Sequence, residues 1–206
     1  AAVCLAIFPV GQNVFAAGTY YVAPDGNDGN PGTEAQPWQT VVKAFTGRVP
    51  GDTVIFKPGT YPHSGHIHNY AAGTASNPIL FISEVPYGAV IDGQGNSNHY
   101  VYGNYQTWDG FHMKRGNWYT MQITGGTGVV VRNCWITGTT SFSGESGLSL
   151  KDSKDCLIHH NIIGPNNNTS NGITIYPDSR GGNKIFNNVI DGSRSSGRLP
   201  WGVGFG

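Results

Sequence analysis

Charge is scarce in this chain. Only 12 Lys+Arg and 12 Asp+Glu occur in 206 residues, so the formal net charge is zero. With no long-range field to recruit nucleic acid or an anionic membrane, any charged site must be local. Cysteine (3) and methionine (2) are rare too, which excludes a disulfide-dense scaffold. No apolar run approaches the ~20 residues that a membrane-spanning helix needs. The Lys, Glu and Ala of helical domains are replaced by 31 glycines and repeated Asn, the composition of a turn-dense all-β protein. The length fits one domain with an ample core.

The N-terminus departs from this pattern. Residues 1–16, AAVCLAIFPVGQNVFA, form a short apolar segment closing on Val14-Phe15-Ala16, small where a signal peptidase requires it. We expect a secretory signal remnant over 1–16 and a domain over 17–206, truncated at its C-terminus because WGVGFG stops in mid-strand with no closing cap. The alternative for 1–16 is a buried first strand. Next comes DGNDGN, from Asp25 to Asn30. A helix-loop-helix calcium loop needs oxygen ligands at positions one, three and five and Glu at twelve. Here position five is Gly29 and position twelve is Gln36, so the segment is predicted to be a turn.

Self-similarity organises the second half. VVVRNCWITG, CLIHHNIIG and NKIFNNVIDG align so that Ile136, Ile163 and Ile190 fall at a constant step of 27 residues. Between them runs a second ladder, GLSLKD, GITIYPD and WGVGFG. Strands this short cannot bury a face alone, but stacked coil on coil they enclose a continuous core. Cys134, Asn161 and Asn188 share a column at the bend between two strands, where stacked amides can bond upward. Leu148, Leu150, Ile173, Ile175, Val203 and Phe205 are predicted to point inward; Ser149, Lys151, Thr174 and Tyr176 outward.

The segments YYVAPDGNDGNPGTEAQPWQTVVKAF, PGDTVIFKPGTY and NPILFISEVPYGAVIDG resemble the N-terminal part of secreted right-handed parallel β-helix proteins, many of them polysaccharide lyases and related hydrolases. The resemblance covers Tyr20 to Gly93 well and implies an all-β right-handed parallel β-helix with a short N-terminal capping helix. Trp38, Val41, Val42 and Phe45 at i, i+3, i+4 and i+7 offer an apolar stripe for that helix. One β-helix scaffold carries several chemistries, so the fold does not specify the activity.

The resemblance also implies a chemistry: a Lys or Arg base, and often Ca2+ neutralising a uronate carboxylate, in a β-elimination that removes the C5 proton and expels the 4-linked sugar. Lys151-Asp152-Ser-Lys154-Asp155 and Tyr176-Pro-Asp178-Ser-Arg180, one coil apart, supply such groups. Lys151 or Arg180 is the candidate base, and Asp152, Asp155 and Asp178 the candidate Ca2+ ligands. Tyr176 is a candidate sugar platform, and Glu145 a candidate groove residue. The same residues also read as ordinary polar turns after strands.

Two histidine arrangements compete as sites. His159 and His160 are adjacent on a strand and predicted to face opposite sides, as a surface pair; His66 and His68 share a face, while His63 does not. Neither set reaches three ligands for zinc. Cys134 and Cys156 are displaced by five residues along the coil, too far for a disulfide, and are expected as buried thiols. Asn167 and Asn168 match glycosylation acceptors.

Together these readings predict a secreted or cell-surface, carbohydrate-active β-helix protein. It is expected to be monomeric and lyase-like on an acidic polysaccharide, without a nucleic-acid partner or membrane span. Two alternatives remain. One is a non-catalytic glycan-binding solenoid whose contacts include Tyr176, Trp118 and Trp135. The other is a glycoside hydrolase using Asp152 and Asp178, which would need carboxylates about 5 to 9.5 Å apart.

Overall fold

Short apolar alternations punctuated by Gly and Asn become short parallel strands, and the chain winds them into a right-handed parallel β-helix. The computed structural model describes residues 16–139, 146–165, 171–191 and 203–205. Residues 1–15 of the apolar leader, Glu145, Asn167 and Asn168 therefore lie outside the described residues.

Three faces run along the helix axis. The first is a 7-stranded sheet of β1 (Thr19–Val22), β2 (Thr53–Phe56), β5 (Ile79–Ser83), β7 (Gln106–Asp109), β9 (Val130–Arg132), β12 (Leu157–His159) and β15 (Lys184–Phe186). The second holds β3 (Gly59–Pro62), the first parts of β6 (Ala89–Val101) and β8 (His112–Thr124), then β10 (Trp135–Thr137), β13 (Ile162–Ile163) and β16 (Val189–Ile190). On the third are β4 (Ile67–Asn69), the remaining parts of β6 and β8, then β11 (Ser146–Lys151), β14 (Asn171–Ile175) and β17 (Val203–Phe205). The 13-residue strands β6 and β8 turn the corner between the second and third faces, paired on both sides of it with register shifts between Asp92 and His99.

Register sets the core. On the first face Val54, Phe81, Trp108, Val131 and Ile158 pair in one inward column, each with no exposed surface. On the second, Ile91, Met113, Ile136, Ile163 and Ile190 pair in a further column; the first four are buried and Ile190 is partly so, and from Ile136 onward the column is the predicted 27-residue step realised as strand pairing. Met121, Leu148 and Ile173 form the third column. Burying each such side chain contributes about 1.5–3 kcal/mol.

The corner asparagines behave as the alignment requires. Cys134 N–H donates to Asn161 Oδ1 at 2.9 Å, and Asn161 N–H to Asn188 Oδ1 at 3.0 Å. A second corner repeats this, with Cys156 N–H donating to Asn183 Oδ1 at 3.0 Å. Both cysteines are buried free thiols, and burial pushes Cys134 up to about 12.

At the N-terminal end the turn reading of DGNDGN holds. Asp28 Oδ1 accepts from Gln39 and Thr40 N–H, and its Oδ2 takes the Thr40 hydroxyl at 2.6 Å. Asn27 Oδ1 accepts Gly29 N–H. These oxygens serve the loop itself and tie it to the helix start. Gly32 lies at φ +82, where a Cβ would meet the Trp38 ring at 2.5 Å, so only glycine fits. The capping helix α1 (Val41–Phe45) is shorter than the stripe predicted. Thr40 caps it, Val41, Ala44 and Phe45 are buried, and Val42 is exposed. Trp38 lies outside the helix and bridges to Val22, so the buried stripe is Val41-Ala44-Phe45.

Candidate functional site

The two polar segments singled out in the sequence are brought together at the C-terminal edge of the third face. Lys151 ends β11 and is exposed; Tyr176 follows β14, its N–H donating to Leu150 O at 2.9 Å. The two are therefore neighbours on consecutive coils. The Lys151 ammonium lies 5.8 Å from the Tyr176 ring centroid, within the range of a cation–π contact. The Tyr176 hydroxyl is in short hydrogen-bond contact with that of Tyr119. Tyr119 pairs with Ser146 at the start of β11, so the two rings bridge the ladder from its first residue to its last. Between them the outward column Gln122–Ser149–Thr174 is 6%, 0% and 4% exposed, although alternation predicts Ser149 and Thr174 at the surface. Gln122 Nε2 donates to Ser149 Oγ at 2.8 Å, which satisfies part of that buried polar row.

Beyond the strands the chain reverses through Asp152 (φ +47) and Asp155 (φ +53), a left-handed conformation that short polar side chains tolerate. Arg180 fastens this turn. Its Nε donates to Asp152 O at 3.0 Å and lies 3.1 Å from Asp152 Oδ1; its other guanidinium nitrogen donates to Gly125 O at 2.7 Å. Asp178 Oδ1 accepts Asp152 N–H at 3.1 Å. Asp155 lies elsewhere in the turn, its carboxylate 3.7 Å from Lys154 Nζ. Asp152 and Asp178 are thus brought together with Arg180, and Asp155 is not. Among the described residues no group of three or more His, Cys, Asp or Glu side chains is arranged to hold a metal ion. As placed, the three aspartates do not build a Ca2+ cage.

The histidine pair differs from expectation. His160 lies just past β12 at φ +57, which swings its ring back to the side of His159, with Nδ1 to Nδ1 at 2.7 Å. The pair remains a surface feature, with His159 stacked on Phe186 at 5.0 Å. His66 and His68 share the exposed side of β4, as alternation requires.

A charged cluster on the second face escaped the sequence reading. Asp92 is 3% exposed and receives Arg115 Nε at 2.7 Å, a second Arg115 nitrogen, and Gln94 N–H at 3.0 Å; Lys114 Nζ is 3.6 Å away. Burial pushes the Asp92 carboxyl up, but the Arg115 and Gln94 hydrogen bonds and the two cationic charges outweigh it and hold it below the usual carboxylate range. Beside it, His112 stacks on Trp135 at 4.3 Å. Only 22 residues separate Val90 from its partner His112, so the 27-residue step did not extend here. The usable signal was Asp92-Gly93 in one strand and Lys114-Arg115 at the matching point of the next.

Comparison with known proteins agrees with the architecture. Residues 20–189 match the Pel9A-like, right-handed β-helix region family. The chain is 35% identical over 89 residues to pectate lyase PEL9 of Emericella nidulans, a match covering 43% of this chain and 21% of that protein. Its fold is similar to that of pectate lyase Pel9A (TM-score 0.70, 19% identity, 87% of this chain and 51% of that one). It is also similar to a rhamnogalacturonan lyase (TM-score 0.56, 18% identity, 92% and 61%). The chain therefore matches less than two thirds of the length of each of these proteins. Among the described residues no helix is long and apolar enough to cross a membrane. With the family match running from the first strand of the solenoid to the start of β16, the chain belongs to the Pel9A-like right-handed β-helix family.

Proposed function

We propose that this protein is a secreted polysaccharide lyase that cleaves an acidic polysaccharide by β-elimination at the Lys151–Tyr176 edge of the third face. The observation carrying this reading is the Lys151 ammonium over the Tyr176 ring, exposed beside a paired tyrosine hydroxyl. Family membership and the polysaccharide-lyase neighbours support the substrate class.

Of the two candidate bases, Lys151 is the one we assign. Arg180 spends its donors on Asp152 and Gly125 carbonyls and on the Asp152 carboxylate, while Lys151 faces solvent. Lys151 Nζ takes the C5 proton of a uronate onto its nitrogen lone pair. The C–H pair becomes the new C4–C5 double bond as the C4–O bond breaks, and the Tyr176 hydroxyl gives its proton to the departing oxygen. The Tyr176 ring at the same time offers a face to the sugar.

The test is the ultraviolet absorbance of unsaturated uronate released from polygalacturonate and from alginate, with and without added Ca2+. Product should form and should fall at least a hundredfold in Lys151→Ala, the scale of a lost general base. Reducing ends without that absorbance would turn the assignment to hydrolysis at Asp152 and Asp178. No product of either kind in any arm would overturn it.

A further inference from the structure

Lys151 and Tyr176 do not stand alone on their face. Asn69 pairs with Val101, Val101 with Ile123, Thr124 with Lys151, and Leu150 with Ile175. One step further, Tyr102 N–H donates to Asn69 O and Tyr176 N–H to Leu150 O, both at hydrogen-bond distance. Tyr70, Tyr102, Thr124, Lys151 and Tyr176 therefore form one outward column over five successive coils. At about 4.8 Å per coil the column is about 19 Å long, the scale of a short oligosaccharide.

Its first two coils carry an aromatic platform. The rings of Tyr70 and Tyr102 stack at 4.8 Å with 11° between planes. His68 stacks on Tyr102 at 5.7 Å and 4°, and on Tyr100 at 5.4 Å and 23°. Tyr70 is 68% exposed. A cleft of about 470 Å³ separates the platform from the capping helix, with Val42, Phe45 and Arg48 along one side and His68, Tyr70 and Ala71 along the other. Among the described residues no carboxylate lines it. The Arg48 guanidinium is held over Tyr20 at 4.0 Å and near Asp52 at 3.5 Å.

Near-parallel exposed rings are a poor way to finish a soluble surface and a good way to hold a flat, partly apolar ligand whose polar groups point outward. A pyranose has that form, with C–H groups on its faces and hydroxyls around its rim. A cleft whose described lining carries Arg48 and no acid admits a uronate, and the column leads directly to the residues assigned to the reaction. Single-stranded nucleic acid also stacks on such rings, but it needs a basic groove along its backbone, and this chain is formally neutral.

We propose that Tyr70, Tyr102 and His68 form a saccharide-binding platform that holds the non-reacting residues of the acidic polysaccharide whose cleavage we assign to Lys151 and Tyr176. The inference rests on that reading of the chain for its ligand class, but not for its geometry. Remote binding of this kind anchors long substrates and does nothing for those too short to reach from Lys151 to Tyr70.

The experiment is calorimetric titration of the full chain with di- and tetragalacturonate and with a single-stranded oligonucleotide, beside the absorbance assay. The variants are Tyr70→Ala/Tyr102→Ala, Tyr70→Phe/Tyr102→Phe and Lys151→Ala. The alanine pair is expected to weaken tetramer binding about tenfold or more and leave dimer binding unchanged, while the phenylalanine pair retains both. Lys151→Ala should lower product at least a hundredfold and keep the dependence of binding on the two tyrosines. Platform-dependent binding without product in any form sinks the lyase reading alone. Product with tetramer affinity unaltered in the alanine pair sinks the platform alone. Tetramer affinity unchanged in the alanine pair, no oligosaccharide binding at all, or tighter binding of the oligonucleotide than of either saccharide would overturn the proposal. A melting temperature for the alanine pair close to that of the parent excludes misfolding as the cause of lost affinity.

Discussion

The Asn161 side-chain nitrogen donates to Asn188 Oδ1 at 3.0 Å and to Val131 O at 2.9 Å, while its Oδ1 accepts Cys134 N–H. One 1%-exposed amide therefore satisfies groups on the coil before it and the coil after it. Asn161→Ala strands a buried N–H and a buried carbonyl, and is expected to destabilise by about 2–4 kcal/mol, most of it the desolvation of unpaired groups. Asn161→Asp keeps the acceptor, loses the donor and buries a charge, so it should be worse. Urea unfolding of both variants checks this: the alanine variant should shift the midpoint, and the aspartate variant should shift it further.

His99 sits inside the solenoid, stacked on Phe45 at 5.5 Å and edge-on to Trp108 at 4.7 Å, with neither ring nitrogen hydrogen-bonded. Burial, with a smaller contribution from the nearby His63 charge, lowers it to about 3, against about 6.5 in an unfolded chain. Between those values the unfolded state binds more protons, so stability falls as pH drops from about 6.5 toward 3, by on the order of a few kcal/mol. His99→Leu removes both the proton and the unpaired nitrogens. It should flatten the midpoint-against-pH curve over that window and leave stability at neutral pH equal or higher. An unchanged slope in the variant would refute the assignment.

Legibility in the sequence followed regularity. Where coils repeat at 27 residues, single-column alignment gave the Ile136–Ile163–Ile190 pairing and the Asn161–Asn188 corner, because a solenoid turns a sequence period directly into a contact. Where coil length changes, as between Val90 and His112, alignment fails and the Asp92–Arg115 cluster goes unseen. Turn geometry was less readable still. Tyr176, Lys151 and Arg180 were found as residue types, yet which cation is free depends on left-handed turns at Asp152 and Asp155, and such turns depend on local backbone balance more than on spacing. The aromatic platform was missed for a related reason: the sequence period locates the later coils, while Tyr70 and Tyr102 lie in the less regular first ones.

Asp92 offers a second acid-sensitive element, separable from His99. Its folded value lies below that of the unfolded carboxyl, so its contribution is present at neutral pH and is lost as pH falls below about 4. Asp92→Asn leaves Arg115 and Lys114 facing a neutral amide, and is expected to destabilise by about 1–2 kcal/mol at pH 7. The difference from the parent should shrink below pH 4. Thermal melts at pH 7 and at pH 3 measure this; an equal difference at the two values would show that the charge of Asp92 is immaterial.

The last expectation separates ring from hydroxyl at Tyr176. In the proposed reaction the hydroxyl supplies a proton and the ring supplies a face for the sugar and a partner for Lys151. Tyr176→Phe should therefore lower kcat by about 10²-fold, the scale of general acid catalysis, and leave KM nearly unchanged. Tyr176→Ala should lower kcat and raise KM together, since binding is lost as well. Arg180→Gln, by contrast, loosens the turn at Asp152 and Gly125, and its effect should appear first in stability, as about 1 kcal/mol in urea unfolding. If Tyr176→Phe matched the parent in kcat, proton delivery would pass to another group, with the Tyr119 hydroxyl the nearest candidate. A kcat loss in Arg180→Gln larger than in Lys151→Ala would exchange the roles of the two cations.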